Sequence, residues 1–68
     1  MAHYLVEIRG DNPRRAARLL AFVGIGHTNP RHDSVTARVH ADNAEAAKGQ
    51  VLAALAGEPF TIGQVREA

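Results

Sequence analysis

The sequence repeats itself at an interval of thirty-one residues. At that shift Glu7-Ile8-Arg9-Gly10-Asp11-Asn12 lies over Arg38-Val39-His40-Ala41-Asp42-Asn43. The alternate apolar residues Tyr4, Val6 and Ile8 lie over Val35, Ala37 and Val39, and further on Ala16 lies over Ala47 and Leu20 over Val51. An apolar period of two belongs to a strand with one buried face, and spacings of three and four belong to a helix with one buried stripe. Each half therefore reads as strand, Asp-Asn turn, helix, glycine, strand, and the identities are few enough that the match speaks to fold and not to ancestry.

The first strand spans His3 to Arg9, with Tyr4, Val6 and Ile8 alternating with His3, Glu7 and Arg9, and with Leu5 as the one apolar residue on the polar side. Asn12 is placed to cap a helix that Pro13 opens, since the missing N–H of proline costs nothing at the first helical position. That helix runs from about Pro13 to Val23, with Ala16, Leu19, Leu20 and Val23 as its apolar stripe and Gly24 as a left-handed terminator. Ile25 to Thr28 is a short strand and Asn29 to Asp33 a turn. Ser34 to Ala41 alternates strictly. Asp42 is the expected cap of the second helix, with Glu45 completing a capping box. Ala44, Ala47, Val51 and Leu55 line that helix, with Leu52 beside them, and Gly57 ends it. Gly49 inside the helix costs up to ~1 kcal/mol relative to alanine, which points to close packing against a neighbour. In the last strand, Phe60 to Arg66, the alternation slips at Gly63, and the slip predicts a glycine bulge.

Two βαβ halves interleaved into one antiparallel sheet make a ferredoxin-like βαββαβ sandwich. Right-handed crossovers put both helices on one face and give the strand order 4-1-3-2. The expectation is thus a single α+β domain over residues 1–68. The helices cover the face of Tyr4, Val6, Ile8, Val35, Ala37 and Val39. The opposite face carries His3, Leu5, Glu7 and Arg9 from the first strand and Thr36, Arg38 and His40 from the third, all on central strands. That open surface is the first candidate interaction site.

Composition narrows the chemistry. A chain this short buries only about 60% of the surface its unfolded form exposes. Without cysteine it has no disulfide, thiolate nucleophile or cysteine-based zinc site. Stability must come from an aliphatic, alanine-rich core, extended by self-association. The net charge of +1 is too balanced to announce a nucleic-acid or acidic-membrane partner. Yet no acidic residue lies between Asn12 and His32, where Arg14, Arg15, Arg18 and Arg31 all fall. These four are the second candidate surface, for an anionic partner, because arginine forks match both phosphate and carboxylate. No signal-like segment and no apolar run near the roughly 20 residues of a bilayer span are visible, so a cytoplasmic setting is expected. Much alanine and arginine with little lysine fits a GC-rich genome, and with it a bacterial or phage accessory protein.

No constellation fixes a reaction. His27 and His32 flank a turn, and His3 and His40 belong to the open face, but their spacing matches no ligand motif, so neither a metal nor a cofactor is expected. Ser34 follows His32-Asp33, yet neighbours in sequence are not a triad, and Asp11 and Asp42 have turn and cap roles. Gly24-Ile25-Gly26 follows a helix where a phosphate loop would follow a strand. Arg9-Gly10-Asp11 is read as a strand end and a turn.

Asp11-Asn12-Pro13 after a first strand, with a helix leading to Gly24-Ile25, resembles the opening of amino-acid-sensing ACT domains. The resemblance covers the first third of the chain, and Arg14 stands where that family usually has glycine. It implies a βαββαβ fold and effector binding at domain interfaces. The leading expectation is a non-catalytic module that binds itself and another protein. A nucleic-acid-binding module using Arg14, Arg15 and Arg18 is the second, although the open sheet lacks the exposed aromatics that stack bases. A small-molecule sensor is the third.

Overall fold

The computed structural model describes residues 2–68. Strands β1 (Ala2–Arg9), β2 (Gly26–His27), β3 (Ser34–Ala41) and β4 (Thr61–Glu67) alternate with helices α1 (Pro13–Phe22) and α2 (Ala44–Leu55). The antiparallel sheet has the order β2-β3-β1-β4 and the helices form a second layer, which is the ferredoxin-like arrangement that the repeat predicts. None of its described helices is long and apolar enough to cross a membrane.

The repeat is written into the central register. Residues of β1 and β3 pair from Ala2 opposite Ala41 to Arg9 opposite Ser34, with Val6 opposite Ala37. Val6 and Ala37 are also equivalent in the thirty-one-residue repeat, so an approximate twofold axis passes between them. Tyr4 with Val39 on one side of the axis then corresponds to Ile8 with Val35 on the other. Val6, Ile8, Val35, Ala37, Val39 and Ala41 are buried under the helices, and both helices pack across β3. Ala16, Ala17, Ala47 and Ala54 of the helices are buried as well. Each alanine removes little area from water at about 25 cal/mol per Å², so the core rests on Ile8, Leu20, Leu55 and the three valines among its fully buried side chains.

The helix ends refine the sequence reading. Asn12 caps α1, its Oδ1 accepting from the Arg15 N–H at 3.2 Å, and Pro13 opens the helix. Asn43, and not Asp42, caps α2, because its side chain accepts from Ala46 N–H at 2.8 Å. With the cap one residue later, Glu45 falls at the second helical position and Ala46 at the third, so no capping box forms. Glu45 still offers its charge to the positive end of the helix. The stripe of α1 is Pro13, Ala16, Ala17 and Leu20, rotated from the expected one, and Leu19 is only partly buried. Val23 leaves the helix as its C-cap and is 54% exposed. There the Gly24 N–H donates to Ala21 and the Ile25 N–H to Leu20, a Schellman motif with Gly24 at φ 79°. Ile25 then folds back onto the core. In α2 the buried residues are Ala47, Val51, Ala54 and Leu55, while Ala44 and Leu52 face outward.

Two glycines behave differently from one another. Gly10 lies under the ring of Phe60, where a Cβ would overlap the ring edge. Phe60 itself precedes β4 and packs against the core. Gly49, expected to sit against a neighbour, is exposed, and a Cβ there would meet nothing. Its helical cost is therefore uncompensated. Gly49→Ala is expected to raise the unfolding free energy by about 0.5–1 kcal/mol. Gly10→Ala is expected to lower it by pushing Phe60 off the core. Urea unfolding of the two variants checks both signs.

Candidate functional site

The β1–β3 register assembles the open face predicted from alternation. His3 pairs with His40, Leu5 with Arg38, Glu7 with Thr36 and Arg9 with Ser34, all on the side away from the helices. β4 adds to this face. Its register shifts between Val6 opposite Val65 and Ile8 opposite Ile62, so Gly63 and Gln64 together oppose Glu7. This is the bulge expected at Gly63. Beyond it Arg66 pairs with Leu5 and therefore lies on the open face. Arg66 was missed from sequence, although the slip at Gly63 already puts Val65 inward and its neighbour outward.

Glu7 is the hinge of the bulge. Its Oε1 accepts from the Gln64 N–H at 3.4 Å and from Arg9 Nε at 3.1 Å. A Cβ at Gly63 would run into this carboxylate and the Arg9 side chain, which explains glycine at the slip. The backbone donor of Gln64 first, and the Arg9 guanidinium second, hold the Glu7 carboxyl below its ordinary pKa. Glu7 is thus a fixed anion within a face that also carries Arg9, Arg38 and Arg66. Among the described residues Arg38 and Arg66 make no ion pair.

The face is not flat. The segment after β2 rises beside it, held by Thr28, whose N–H donates to the Thr36 carbonyl at 2.9 Å and whose Oγ1 accepts from Thr36 N–H at 3.2 Å. Between this segment and the sheet lies an open groove of about 560 Å³, lined by Leu5, Glu7, Thr36, Ser34, Arg31 and Arg66 among others. A second hollow of about 400 Å³ lies between Leu5, Arg38 and the Gly26–Thr28 segment. Leu5 is common to both, and it is only half-buried.

The four arginines outside the sheet do not share a surface. Arg31 joins the groove on the open face. Arg15 Nε reaches Glu58 Oε1 at 2.7 Å, tying α1 to the turn after α2. Arg14 and Arg18 stay exposed on α1, with no ion pair among the described residues. The hydrogen bond from Arg15, then its charge, hold Glu58 below the usual carboxylate range.

His3 and His40, whose meeting depended on register, stack at 4.5 Å with ring planes 17° apart. Ring lone pairs in near-parallel planes do not converge on one ion. No third histidine, aspartate, glutamate or cysteine joins them in a ligand cluster among the described residues. His27 Nδ1 lies 2.7 Å from the Thr28 carbonyl.

Glu7 and Glu58 have depressed folded-state pKa values, so each contributes stability that is present above the ordinary carboxylate pKa and lost as pH falls through its lowered folded value. Acid titration followed by circular dichroism should show stability declining through and below the carboxylate range. Glu58→Gln and Glu7→Gln should each flatten that decline. An unchanged pH profile in both variants would contradict the two ion pairs.

Comparison of the chain with protein-family models, with curated proteins and with solved structures finds no match. The use of the open face is accordingly read from its own chemistry.

Proposed function

We propose that this chain is a small non-catalytic binding module that docks another protein on the open face of its sheet. The observation that carries this reading is Leu5. It is an apolar side chain at the centre of a polar, arginine-bearing surface, flanked by two hollows and covered by no element of the fold. Apolar centres ringed by polar groups, with arginine among the contacts, are the usual anatomy of protein interfaces.

Other uses fit the surface less well. The face bears no phenylalanine, tyrosine or tryptophan ring on which a base would stack, since Tyr4 and Phe60 pack against the core, and its two imidazoles, His3 and His40, stack on each other. The helix-one arginines that favoured nucleic acid are divided by the Arg15–Glu58 bond. Glu7, the carboxylate of the groove, is engaged by two donors and held ionised, which suits a structural anion better than a general acid. A second copy placed face to face would set arginines against arginines, so the charge favours a different protein here. Self-association would use another surface, and the apolar one on offer is Phe22, 90% exposed beside exposed Val23.

The test places the photo-crosslinking residue p-benzoylphenylalanine at Arg38 on the open face, or at exposed Ala46 on α2, in cells that express the chain. Crosslinks to another protein from Arg38 and not from Ala46 are the expected result. Equal yields from both positions, or none from Arg38, would overturn the reading. Sedimentation equilibrium of Phe22→Ser beside the native chain reports separately on self-association.

A further inference from the structure

We infer that the groove between the Thr28–Arg31 segment and the sheet is a subsite for an extended acidic peptide that carries an apolar residue between two acids. This deepens the docking reading above and rests on it.

The arginines of the chain divide into two sets. Arg9 and Arg15 are closed by Glu7 and Glu58. Arg31 and Arg66 line the groove, are exposed, and make no ion pair among the described residues. They approach it from opposite flanks, because Arg66 belongs to β4 and Arg31 follows β2, the two edges of the sheet. Leu5 and Thr36, on the central strands, form the floor between them. The polar groups placed there suit carboxylates. Guanidinium forks bind them through paired charge-assisted hydrogen bonds, and the hydroxyls of exposed Thr28 and half-buried Ser34 add donors at the rim.

The placement of the arginines sets the pattern. Arg66 stands level with Leu5 and Arg38, whereas the Arg31 N–H donates to the Ser34 carbonyl at the other end of β3, so the two arginines are offset both across and along the strands with Leu5 and Thr36 between them. An extended peptide turns alternate side chains to the same side, so one segment can present an apolar residue between two acids. The acids meet Arg31 and Arg66, and the apolar residue between them meets Leu5.

The fixed charge of Glu7 decides against a phosphate backbone. A nucleic-acid strand brings an anion at every nucleotide and would have to set one beside this carboxylate. A peptide can leave that place neutral. The groove also lacks an aromatic ring for a base.

The test uses fluorescence anisotropy at low salt with the native chain and a labelled peptide containing Glu-Ser-Leu-Ser-Glu. Controls are Lys-Ser-Leu-Ser-Lys, Glu-Ser-Ser-Ser-Glu and a labelled oligothymidylate. Binding is expected for the first peptide, with weaker binding for the serine-centred one and none for the basic one. Arg31→Ala and Arg66→Ala should each weaken it by about tenfold, the scale of one charge-assisted contact. Arg14→Ala and Arg18→Ala, on the other layer, should change it less than about twofold. Melting temperatures of the four variants verify that the fold is kept. The inference is overturned if the acidic peptide does not bind, if the α1 variants weaken it as much as the groove variants, or if oligothymidylate binds more tightly through the same two arginines. If the crosslink from Arg38 is found while the peptide fails, the docking face stands and its acidic partner falls. If both fail, both readings fall.

Discussion

The pairing of Val6 with Ala37 is the constraint on which the rest of the molecule depends. In a strand a slip of one residue moves every side chain to the other face. With β1 and β3 in this register, all their alternate apolar residues point toward α1 and α2, and the polar set from both strands is gathered on the other side. The same pair sits on the axis of the internal repeat. Each half therefore delivers its asparagine cap, Asn12 or Asn43, at an equivalent distance beyond its strand. The two helices start in equivalent places because the two strands pair in a symmetric way. With so many alanines in the core, little further packing energy is available to correct a wrong register.

Where the symmetry fails, it fails at the edges. β2 is only two residues long and β4 is seven. The short strand leaves the outer edge of β3 uncovered beyond Arg38. There the amide of Gln50, from α2, donates to the His40 carbonyl at 3.1 Å and occupies the place of a strand donor. At the other edge the Gly63 bulge bends β4. Natural sheets use both devices, a side chain over a free edge and a bulge within one, to discourage further strands from adding. The bulge has a second effect. It draws the Glu7 carboxylate toward the Gln64 N–H and so engages Arg9, while it turns Arg66 outward. The edge irregularity and the charge pattern of the open face are one structural event.

Features that rest on local pattern were legible from sequence. The strict alternation of Ser34 to Ala41, the terminator at Gly24, the slip at Gly63 and the strand order all follow from periodicity and turn chemistry. What escaped was decided by three-dimensional neighbours or by a choice between adjacent equivalents. Asp42 and Asn43 are both capable caps, and local pattern favoured Asp42 because Glu45 lies three residues on. The repeat, which aligns Asn43 with Asn12, pointed the other way and was the better guide. The stripe of α1 was misplaced because Val23 continues the helical spacing while the backbone has already begun the Schellman turn. Gly49 was read as a close contact because packing is the common reason for glycine in a helix, and here there is none. The partner of Arg15 is forty-three residues away in sequence, and no periodicity points to Glu58. The open face was legible on its central strands, His3 to Arg9 and Thr36 to His40. Its flanks, Thr28, Arg31 and Arg66, belong to a loop and a post-bulge strand whose placement only the folded chain supplies.

A net charge near zero conceals how differently the charges are used. Glu7 and Glu58 are each engaged by an arginine, one within β1 beside the bulge and one between a helix and a turn. That leaves the cations of the groove without internal anions, on a surface that already has an apolar centre. Long charged side chains in water gain little from pairing with one another, so an unpaired arginine alone means nothing. Two of them on opposite flanks of one groove, with a half-buried leucine between and a fixed carboxylate beside it, constrain a ligand in sign and polarity at once. It is this conjunction, produced by the β1–β3 register and the β4 bulge together, that gives the open face a definite complement.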